Sequence, residues 1–230
     1  MMIDVVIPIK NELNKELIDS LKKMPEINKI IVTKEKPLSI ARKNAVLKAQ
    51  TFWVGMIDND MILPKNWIKI VSSHITKKTG AIATVALQSN EHVQAYDKIV
   101  STLRKLNKID TSPHINNIIV RRDLIQNYNP PPLFFGEDQY LKKYIESIGY
   151  IWKVIPFVGV MHLGTSENHV IVGIFYKRHS HYNLFQFLRR ILARLILCPF
   201  ASILNLSLRT YIYLNKINVQ FVAGWLKEWI

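Results

Sequence analysis

The chain has 230 residues, of which 49% are hydrophobic and 21% are charged, enough for one full-sized domain with a packed core and an appendage. These proportions exclude global disorder, and a single cysteine, Cys198, excludes a disulfide framework and an iron–sulfur site. Lysine and arginine (31) exceed aspartate and glutamate (17) by 14, which favours an anionic partner.

Strand and helix patterns alternate over the first part of the chain. Residues 4–9 form a nearly continuous apolar run, typical of a buried parallel strand, and a helix face follows at Leu13, Leu17, Leu21 and Met24. Further strands are predicted at 29–33 and 52–57, with a helix at 40–50 between them. The alternation predicts an α/β layer fold with a mostly parallel sheet, which binds ligands beyond the carboxyl ends of its strands.

Two carboxylates, Asp58 and Asp60, directly follow the third predicted strand. Two carboxylates that lie two residues apart at the end of a buried strand cost free energy unless a cation lies between them. Their oxygen atoms are suitable ligands for Mg²⁺ or Mn²⁺. A loop that caps the helix beginning near Pro64 explains the same pattern. The spacing alone leaves both interpretations open.

A second acidic pair, Glu137 and Asp138, begins a predicted helix that Gly149 ends. The N-terminus of a helix favours an ionised carboxylate, so simple capping explains the pair as well as catalysis does. The preceding residues 130–136 are rich in proline and phenylalanine and predict an apolar lip that excludes water from a general base. His162 follows another predicted strand at 151–157, where a lone histidine is more often a core group than a ligand.

The last part of the chain, residues 165–230, carries eight basic and two acidic residues among many large apolar ones. Its longest uncharged stretch, 195–208, would make a helix of about 21 Å. That is shorter than the roughly 30 Å hydrocarbon core of a bilayer. We also expect Pro199 to break this helix, so a single ordinary membrane span is not predicted.

The segment before that stretch predicts an amphipathic helix. On a helical projection Arg189, Arg190 and Arg194 share one arc, and the apolar side chains occupy another: Leu184, Phe185, Leu188, Ile191, Leu192 and Leu195. Docking of this helix on the protein's own core is one interpretation. The arginines and the aromatic residues that follow, Trp225 and Trp229 among them, favour a helix with a cationic face at an anionic membrane surface.

The motifs occur in the order of a known family. Over about residues 3–165 the chain resembles the GT-A glycosyltransferases, specifically the large inverting family 2 group that uses nucleotide-diphospho-sugars. The resemblance is carried by Val5–Glu12, Ala41-Arg42, Asp58-Asn59-Asp60, Ile119–Leu124, Gly136-Glu137-Asp138, Gly149-Tyr150 and Met161–Gly164. It implies a GT-A (Rossmann-like) catalytic domain at 1–165, and we assign residues 166–230 to a helical, membrane-associating tail.

The resemblance also implies roles for individual residues. Asp60 and His162 would hold Mn²⁺ or Mg²⁺, and Asp58 would lie near the ribose or share the metal. Asp138 would be the general base, and Glu137 would position the acceptor or support Asp138. The residues expected to bind the nucleotide-sugar are Pro8, Lys10, Glu12, Arg42, Asp58 and Asn59.

Two positions depart from the family pattern. The acid that usually follows the second strand and contacts the nucleotide base is replaced by Thr33-Lys34-Glu35, which leaves Glu35 as a substitute and the choice between uracil and guanine open. The asparagine that usually follows Ala-Arg is displaced to Asn44, with Lys43 in its place. Two interpretations follow: Lys43 reaches a phosphate, or the helix is rotated so that its polar side chain faces away from the site.

These features predict a metal-dependent, inverting transfer of sugar to an acceptor hydroxyl, with a lipid-linked glycan or a lipid as acceptor at the cytoplasmic face of a membrane. A polyprenyl phosphate acceptor, as in enzymes of the dolichol-phosphate-sugar synthase type, is the alternative and needs no general base. A non-catalytic scaffold and a nucleic-acid binder are the rival classes; the acids and histidine in family order argue against both. A nucleotidyltransferase is disfavoured because no glycine precedes Gly55.

Overall fold

The computed structural model describes residues 1–106, 115–133, 136–155, 159–164, 169–179 and 184–227. The chain divides into two compact units, Met1–Leu87 with Thr111–Leu163, and Gln88–Asp110 with Gly164–Ile230. The second unit therefore includes a segment from the middle of the sequence as well as the tail. Several residues that entered the predictions lie outside the described ones: Phe134, Phe135, Phe157, Glu167, Glu228 and Trp229.

The first unit is built on a six-stranded sheet. The strands of the chain are β1 (Ile3–Pro8), β2 (Ile27–Thr33), β3 (Trp53–Ile57), β4 (Met61–Ile62), β5 (Thr79–Thr84), β6 (Leu87–Gln88), β7 (Asn117–Arg121), β8 (Ile151–Ile155) and β9 (Met161–His162). The order in the large sheet is β2-β1-β3-β7-β5-β8. β1 pairs in parallel with β2 and β3, and β5 with β8, whereas β7 is antiparallel to both of its neighbours. The predicted mostly parallel sheet is confirmed, with β7 as its exception.

Helices cover both faces of this sheet. The helices of the first unit are α1 (Lys15–Lys22), α2 (Leu38–Leu47), α3 (Trp67–Ser72), α5 (Arg122–Ile125) and α6 (Glu137–Ser147). Alternate residues of β1 point to opposite faces, so Val5 packs in a cluster with α1 and α3, and Val6 packs in a cluster with α2 and α6. Because the strands are buried on both faces, they consist of nearly continuous apolar runs.

The second unit contains α4 (Glu91–Leu106), α7 (His169–His179), α8 (Leu184–Leu204) and α9 (Leu208–Leu226). The expectation that Pro199 ends the helix was wrong, since α8 continues through Pro199 for another turn. Proline removes one backbone N–H and its hydrogen bond, but packing of the neighbouring turns holds the helix together. Ala201 and Cys198 of α8 form a buried cluster with Ala95 of α4 and Leu214 of α9.

The sequence predicts that the arginine side of α8 faces outward, but most of that side faces α9. The guanidinium groups of Arg190 and Arg194 lie 5.0 and 5.1 Å from the ring centroid of Phe221 on α9, and Arg194 donates to Asn218 at 3.1 Å. Arg189 is exposed. Aromatic and amide partners on α9 draw two arginines inward, and the apolar side chains of Phe185, Leu188 and Leu192 are therefore exposed.

None of the helices in the described ranges is long and apolar enough to cross a membrane.

Candidate active site

The turn after β3 holds the two acids of the Asp-x-Asp motif at the carboxyl edge of the sheet. The Asp58 backbone N–H donates to the Asn116 carbonyl at 2.9 Å, which ties the turn to the start of β7. β4 follows directly and pairs antiparallel with β9, so that Met61 lies opposite His162. The Leu163 N–H donates to the Asp60 carbonyl at 2.7 Å. This small ladder brings Asp60 and His162 together although they are far apart in sequence.

Asp60 and His162 form a close polar pair, with Nε2 of His162 3.1 Å from Oδ2 of Asp60. The Asp60 side chain is 46% exposed, so an ion can reach it. Burial raises the pKa of Asp60, but the hydrogen bond and charge of His162, together with the charge of Arg42, outweigh burial and leave this pKa below its usual value. The pair therefore offers an ionised carboxylate beside an imidazole.

The donor set fits a divalent cation that a bound diphosphate also contacts. Among the described residues no group of three or more His, Cys, Asp and Glu side chains could hold a metal by itself. The Asp60–His162 pair supplies one oxygen and one nitrogen, and Mn²⁺ and Mg²⁺ routinely take further ligands from substrate phosphates and water. Asp58, which the sequence also suggested as a metal ligand, accepts a hydrogen bond from Arg42 through Oδ1.

Arg42 connects the two acidic motifs. It lies on α2 with only 3% of its surface exposed; Nη2 donates to Asp58 and Nη1 donates to Glu137. Glu137 is the first residue of α6, after Gly136 in a left-handed conformation, and is 5% exposed. One buried guanidinium thus neutralises the charge of two carboxylates from different elements. Either carboxylate would be costly to bury without a cationic partner. The binding of Glu137 to Arg42 favours a supporting role for Glu137 over contact with an acceptor.

Asp138 has a different environment from its neighbour. It is half-buried in the first turn of α6, where its Oδ1 accepts the Gln139 N–H at 2.9 Å. Burial raises the pKa of Tyr128, and the charge of Asp138 raises it further, so Tyr128 is a neutral phenol near this acid. No motif in the sequence identifies Tyr128 as a neighbour of Asp138.

The side-chain amide of Asn59 holds a loop in place. Its Oδ1 accepts the Asn14 N–H at 2.8 Å, and its Nδ2 donates to the Glu12 carbonyl at 2.8 Å. Asn59 thereby fixes the loop after β1, which carries the exposed side chains of Lys10 and Glu12 beyond Pro8. The predicted nucleotide-binding residues of this loop and of the Asp-x-Asp turn are therefore connected directly.

The departures from the family pattern form a small network of their own. The Glu35 carboxylate accepts hydrogen bonds from Asn44 at 2.7 Å and from Lys48 at 2.9 Å. The contact with Lys48, followed by that with Asn44, lowers the pKa of Glu35. The displaced asparagine thus binds Glu35, whereas Lys43 lines a small cavity beside Arg42 and Glu137.

Ser39 is a further residue that the sequence did not reveal. Its hydroxyl donates to the Pro131 carbonyl at 2.7 Å and accepts the Leu133 N–H at 2.9 Å, which holds the proline-rich segment before α6 against α2. Ser39 and Pro131 are 92 residues apart in the sequence. No local sequence signal could have paired them.

No protein-family model matches the chain, and no curated protein matches it. Several solved structures do. The mannosyltransferase PcManGT from Pyrobaculum calidifontis, in complex with GDP-Man and Mn²⁺, superimposes with a TM-score of 0.66 at 13% identity over 98% of this chain and 86% of that one. Glucosyl-3-phosphoglycerate synthase from Mycobacterium tuberculosis, with Mn²⁺ and UDP-glucose, gives a TM-score of 0.55 at 11% identity over 80% of each chain.

Another structure of the Mycobacterium tuberculosis synthase, in complex with phosphoglyceric acid, has a TM-score of 0.53 at 12% identity over 72% of this chain and 73% of that one. These neighbours are GT-A glycosyltransferases that use nucleotide-sugars. At such low identities the likeness establishes the fold. The chain has the GT-A fold, and this prediction from the sequence is confirmed.

Proposed function

We propose that the chain is a metal-dependent glycosyltransferase that moves a sugar from a nucleoside-diphosphate-sugar to an acceptor, with inversion at the anomeric carbon. The observation that supports this most strongly is the Asp60–His162 pair, a carboxylate and an imidazole 3.1 Å apart at the carboxyl edge of a GT-A sheet. Open α/β sheets bind their ligands at this edge. In this proposal Asp60 and His162 would hold Mn²⁺ or Mg²⁺, and the cation would supply positive charge to neutralise the leaving diphosphate.

Asp138 is the proposed general base. The acceptor oxygen forms a bond to the anomeric carbon while the bond from that carbon to the diphosphate oxygen breaks, and the acceptor's proton passes to the Asp138 carboxylate. The nucleoside diphosphate leaves with the bonding electron pair. Because attack and departure occur on opposite sides of the carbon, the anomeric configuration inverts. Glu137 and Arg42 support this site by fixing the first turn of α6 to the Asp-x-Asp turn.

The proposed donor site extends along the loop after β1. Pro8 ends β1, Lys10 and Glu12 lie on the loop, and Asn59 fixes this loop to the turn that carries Asp58 and Asp60. Of the structural neighbours, the mannosyltransferase was solved with GDP-mannose and one structure of the synthase with UDP-glucose. Donors with both bases therefore belong in any test.

We further propose that the acceptor is a lipid or a lipid-linked glycan at the cytoplasmic face of an anionic membrane. The basic, apolar character of residues 165–230 supports this. A polyprenyl phosphate is the second candidate acceptor. A phosphate oxygen carries no proton that must be removed, so this reaction would proceed without Asp138, and Asp138→Asn distinguishes the two acceptors.

The test is a thermal-shift screen of UDP- and GDP-sugars with and without Mn²⁺, followed by measurement of diphosphate release. We expect at least one donor to raise Tm only when Mn²⁺ is present, because a ligand that binds only the folded state stabilises it. Asp60→Ala and His162→Ala should abolish the Mn²⁺-dependent rise in Tm. Asp19 is an exposed acid on α1, and Asp19→Ala serves as the matched control. Equal stabilisation of all variants, or salt-sensitive binding of nucleic acid without any donor response, would contradict the proposal.

A further inference from the structure

Two helices of the second unit expose rows of large apolar side chains. On α8 the exposed row runs along Phe185, Leu188, Leu192, Leu195, Ile196, Phe200 and Ile203, and on α9 it runs along Leu208, Ile212, Val219 and Leu226. Spacings of three, four and seven place the members of each row on one face of their helix. Contiguous exposed apolar surface of this extent marks an interaction site in a folded protein.

The two helices form an antiparallel hairpin. Ser202 of α8 donates to the Ser207 carbonyl at 2.8 Å, Arg194 donates to Asn218, and the Phe187 ring stacks on the Trp225 ring with centroids 3.9 Å apart. These contacts join residues progressively further from the turn between the helices. The hairpin therefore buries the faces that bear Phe187 and Asn218, and leaves the apolar rows directed away from this contact.

The turn of the hairpin ends in an exposed leucine. Leu206 is 93% exposed and has a φ of 47°, a left-handed conformation that large side chains rarely adopt. A leucine at such a position does not pack in the core, and its side chain disfavours the left-handed backbone conformation that the turn requires. Its side chain extends the apolar rows of α8 and α9 to the tip of the hairpin, which points to a ligand for the leucine outside the chain.

The charges beside the rows identify the class of partner. No aspartate or glutamate occurs from Asn168 to Lys227. The exposed cations Arg189, Arg209 and Lys216 lie on the same helices as the rows, and the exposed Lys227 directly follows α9. A second copy of this chain would bring together two basic surfaces, whereas anionic lipid headgroups complement the cations while the acyl region accepts the apolar rows.

We infer that the apolar rows of α8 and α9, together with Leu206, form an in-plane anchor at the headgroup boundary of an anionic bilayer. This specifies the membrane surface of the proposed function, but it does not depend on sugar transfer. No described helix is both long and apolar enough to span a membrane, and an amphipathic helix with this pattern lies in the interface instead. Arg190 and Arg194 remain packed on Phe221 and do not contact lipid.

Flotation of the full chain with phosphatidylcholine vesicles, with or without phosphatidylglycerol, tests the anchor. We expect the wild type to float with the anionic vesicles. High salt should weaken this binding only partly, because salt screens the charges but not the apolar contribution. Ile203→Gln with Leu206→Asn should reduce binding by about tenfold per side chain. Asparagine tolerates the left-handed φ of position 206, so this variant should keep its fold, which circular dichroism verifies. Arg209→Glu with Lys216→Glu should lose only the salt-sensitive part.

Ile148→Gln, which replaces an exposed apolar residue of the first unit, is the matched control and should bind as the wild type does. Unchanged flotation of the Ile203/Leu206 variant would overturn the anchor, as would failure of the wild type to float at low salt. A wild-type dimer that this variant converts to a monomer, with no flotation of either, would assign the rows to a second copy. Donor-dependent thermal shifts measured without vesicles report separately on the proposed catalytic function.

Discussion

Asp138 and Glu137 are adjacent acids on α6 with different surroundings. Glu137 is buried against Arg42, whereas Asp138 is half-buried at the N-terminus of the helix. Asp138→Asn removes the proton acceptor but keeps the size of the side chain. We expect transfer to a hydroxyl acceptor to fall by about 10²- to 10⁴-fold, the usual contribution of a general base, with little change in donor affinity.

The measurement for Asp138→Asn is diphosphate release under saturating donor, together with donor titration by calorimetry. Glu146→Gln, an exposed acid later on the same helix that pairs with Lys142, is the control and should retain full activity. A near-normal transfer rate for Asp138→Asn with a hydroxyl acceptor would remove Asp138 from the role of base. Normal transfer confined to a phosphate acceptor would favour a polyprenyl phosphate.

Asp4 is a buried carboxylate of β1 with a structural role. Its oxygens accept from the Gln50 N–H at 2.5 Å, the Thr51 N–H at 3.2 Å and the Asn28 amide at 2.8 Å. Burial raises the pKa of Asp4, but these donors lower it more, and the net pKa lies below the usual value of 3.8. We expect Asp4→Asn to reduce the free energy of unfolding by about 2 kcal/mol at neutral pH, because the substituted amide cannot accept from all three donors.

The pH dependence of this difference follows from the lowered pKa. A carboxyl group whose pKa is lower in the folded state stabilises the fold fully above its unfolded pKa, and the stabilisation is lost as the pH falls through the folded pKa. Urea unfolding of wild type and Asp4→Asn should therefore show a constant difference at neutral pH that shrinks below about pH 3.8. A difference that is the same at neutral and strongly acidic pH would show that the charge of Asp4 is not its cause.

At the scale of elements, α7 and α9 cross at two glycines. A methyl group at Gly224 of α9 would overlap the Val170 carbonyl of α7, and one at Gly173 would overlap the Phe221 carbonyl. In an exposed helix, glycine-to-alanine substitution stabilises by up to about 1 kcal/mol. Here we expect the opposite sign for Gly224→Ala, a loss of about 2 kcal/mol by overpacking.

Urea unfolding of Gly224→Ala against the wild type measures this effect. Ala223→Ser changes the neighbouring exposed residue of the same helix and should alter stability by less than about 0.5 kcal/mol. A stabilised Gly224→Ala protein would mean that the helices do not cross at this residue.

Much of the first unit could be predicted from the sequence because its information is local. The apolar run of β1, the helix spacing of α1 and the alanines of α2 each identify an element without reference to its neighbours. The proximity of Asp60 and His162 followed from the resemblance, since no spacing argument joins residues on different strands. The antiparallel direction of β7 could not be predicted, because an apolar strand buried on both faces looks the same in either direction.

The second unit was harder to predict because tertiary contacts decide which side of each helix faces inward. The amphipathic pattern of α8 was correct, but Phe221 and Asn218 of α9 draw Arg190 and Arg194 inward. Periodicity identifies two faces and does not say which one is covered. The buried ion pair between Arg42 and Glu137 could not be predicted from the sequence either. Each residue was identified separately as a site residue, and nothing in the sequence indicated that they contact each other.

At the scale of the whole molecule, the unit that holds the candidate catalytic residues and the unit that holds the tail are not divided at a single point in the sequence. α4 lies between β6 and β7 in the chain but belongs to the second unit. His92 of α4 lies 2.8 Å from the Thr210 hydroxyl, and Ala95 packs with Cys198, Ala201 and Leu214. Removing the tail after residue 164 would therefore expose the apolar side of α4 to water.

We expect a truncated chain ending at residue 164 to aggregate, because exposed apolar helix faces associate. Tyr96 and Ile99 pack on the cluster formed with α8 and α9. Replacing both by lysine in the truncated chain should restore a monomer, while the same pair of substitutions in the full chain should destabilise it by burying two charges. Size-exclusion chromatography and thermal unfolding of the four proteins provide the measurement. A monomeric, cooperatively folding truncation without the lysines would show that α4 does not depend on the tail, and that residue 165 is a true domain boundary.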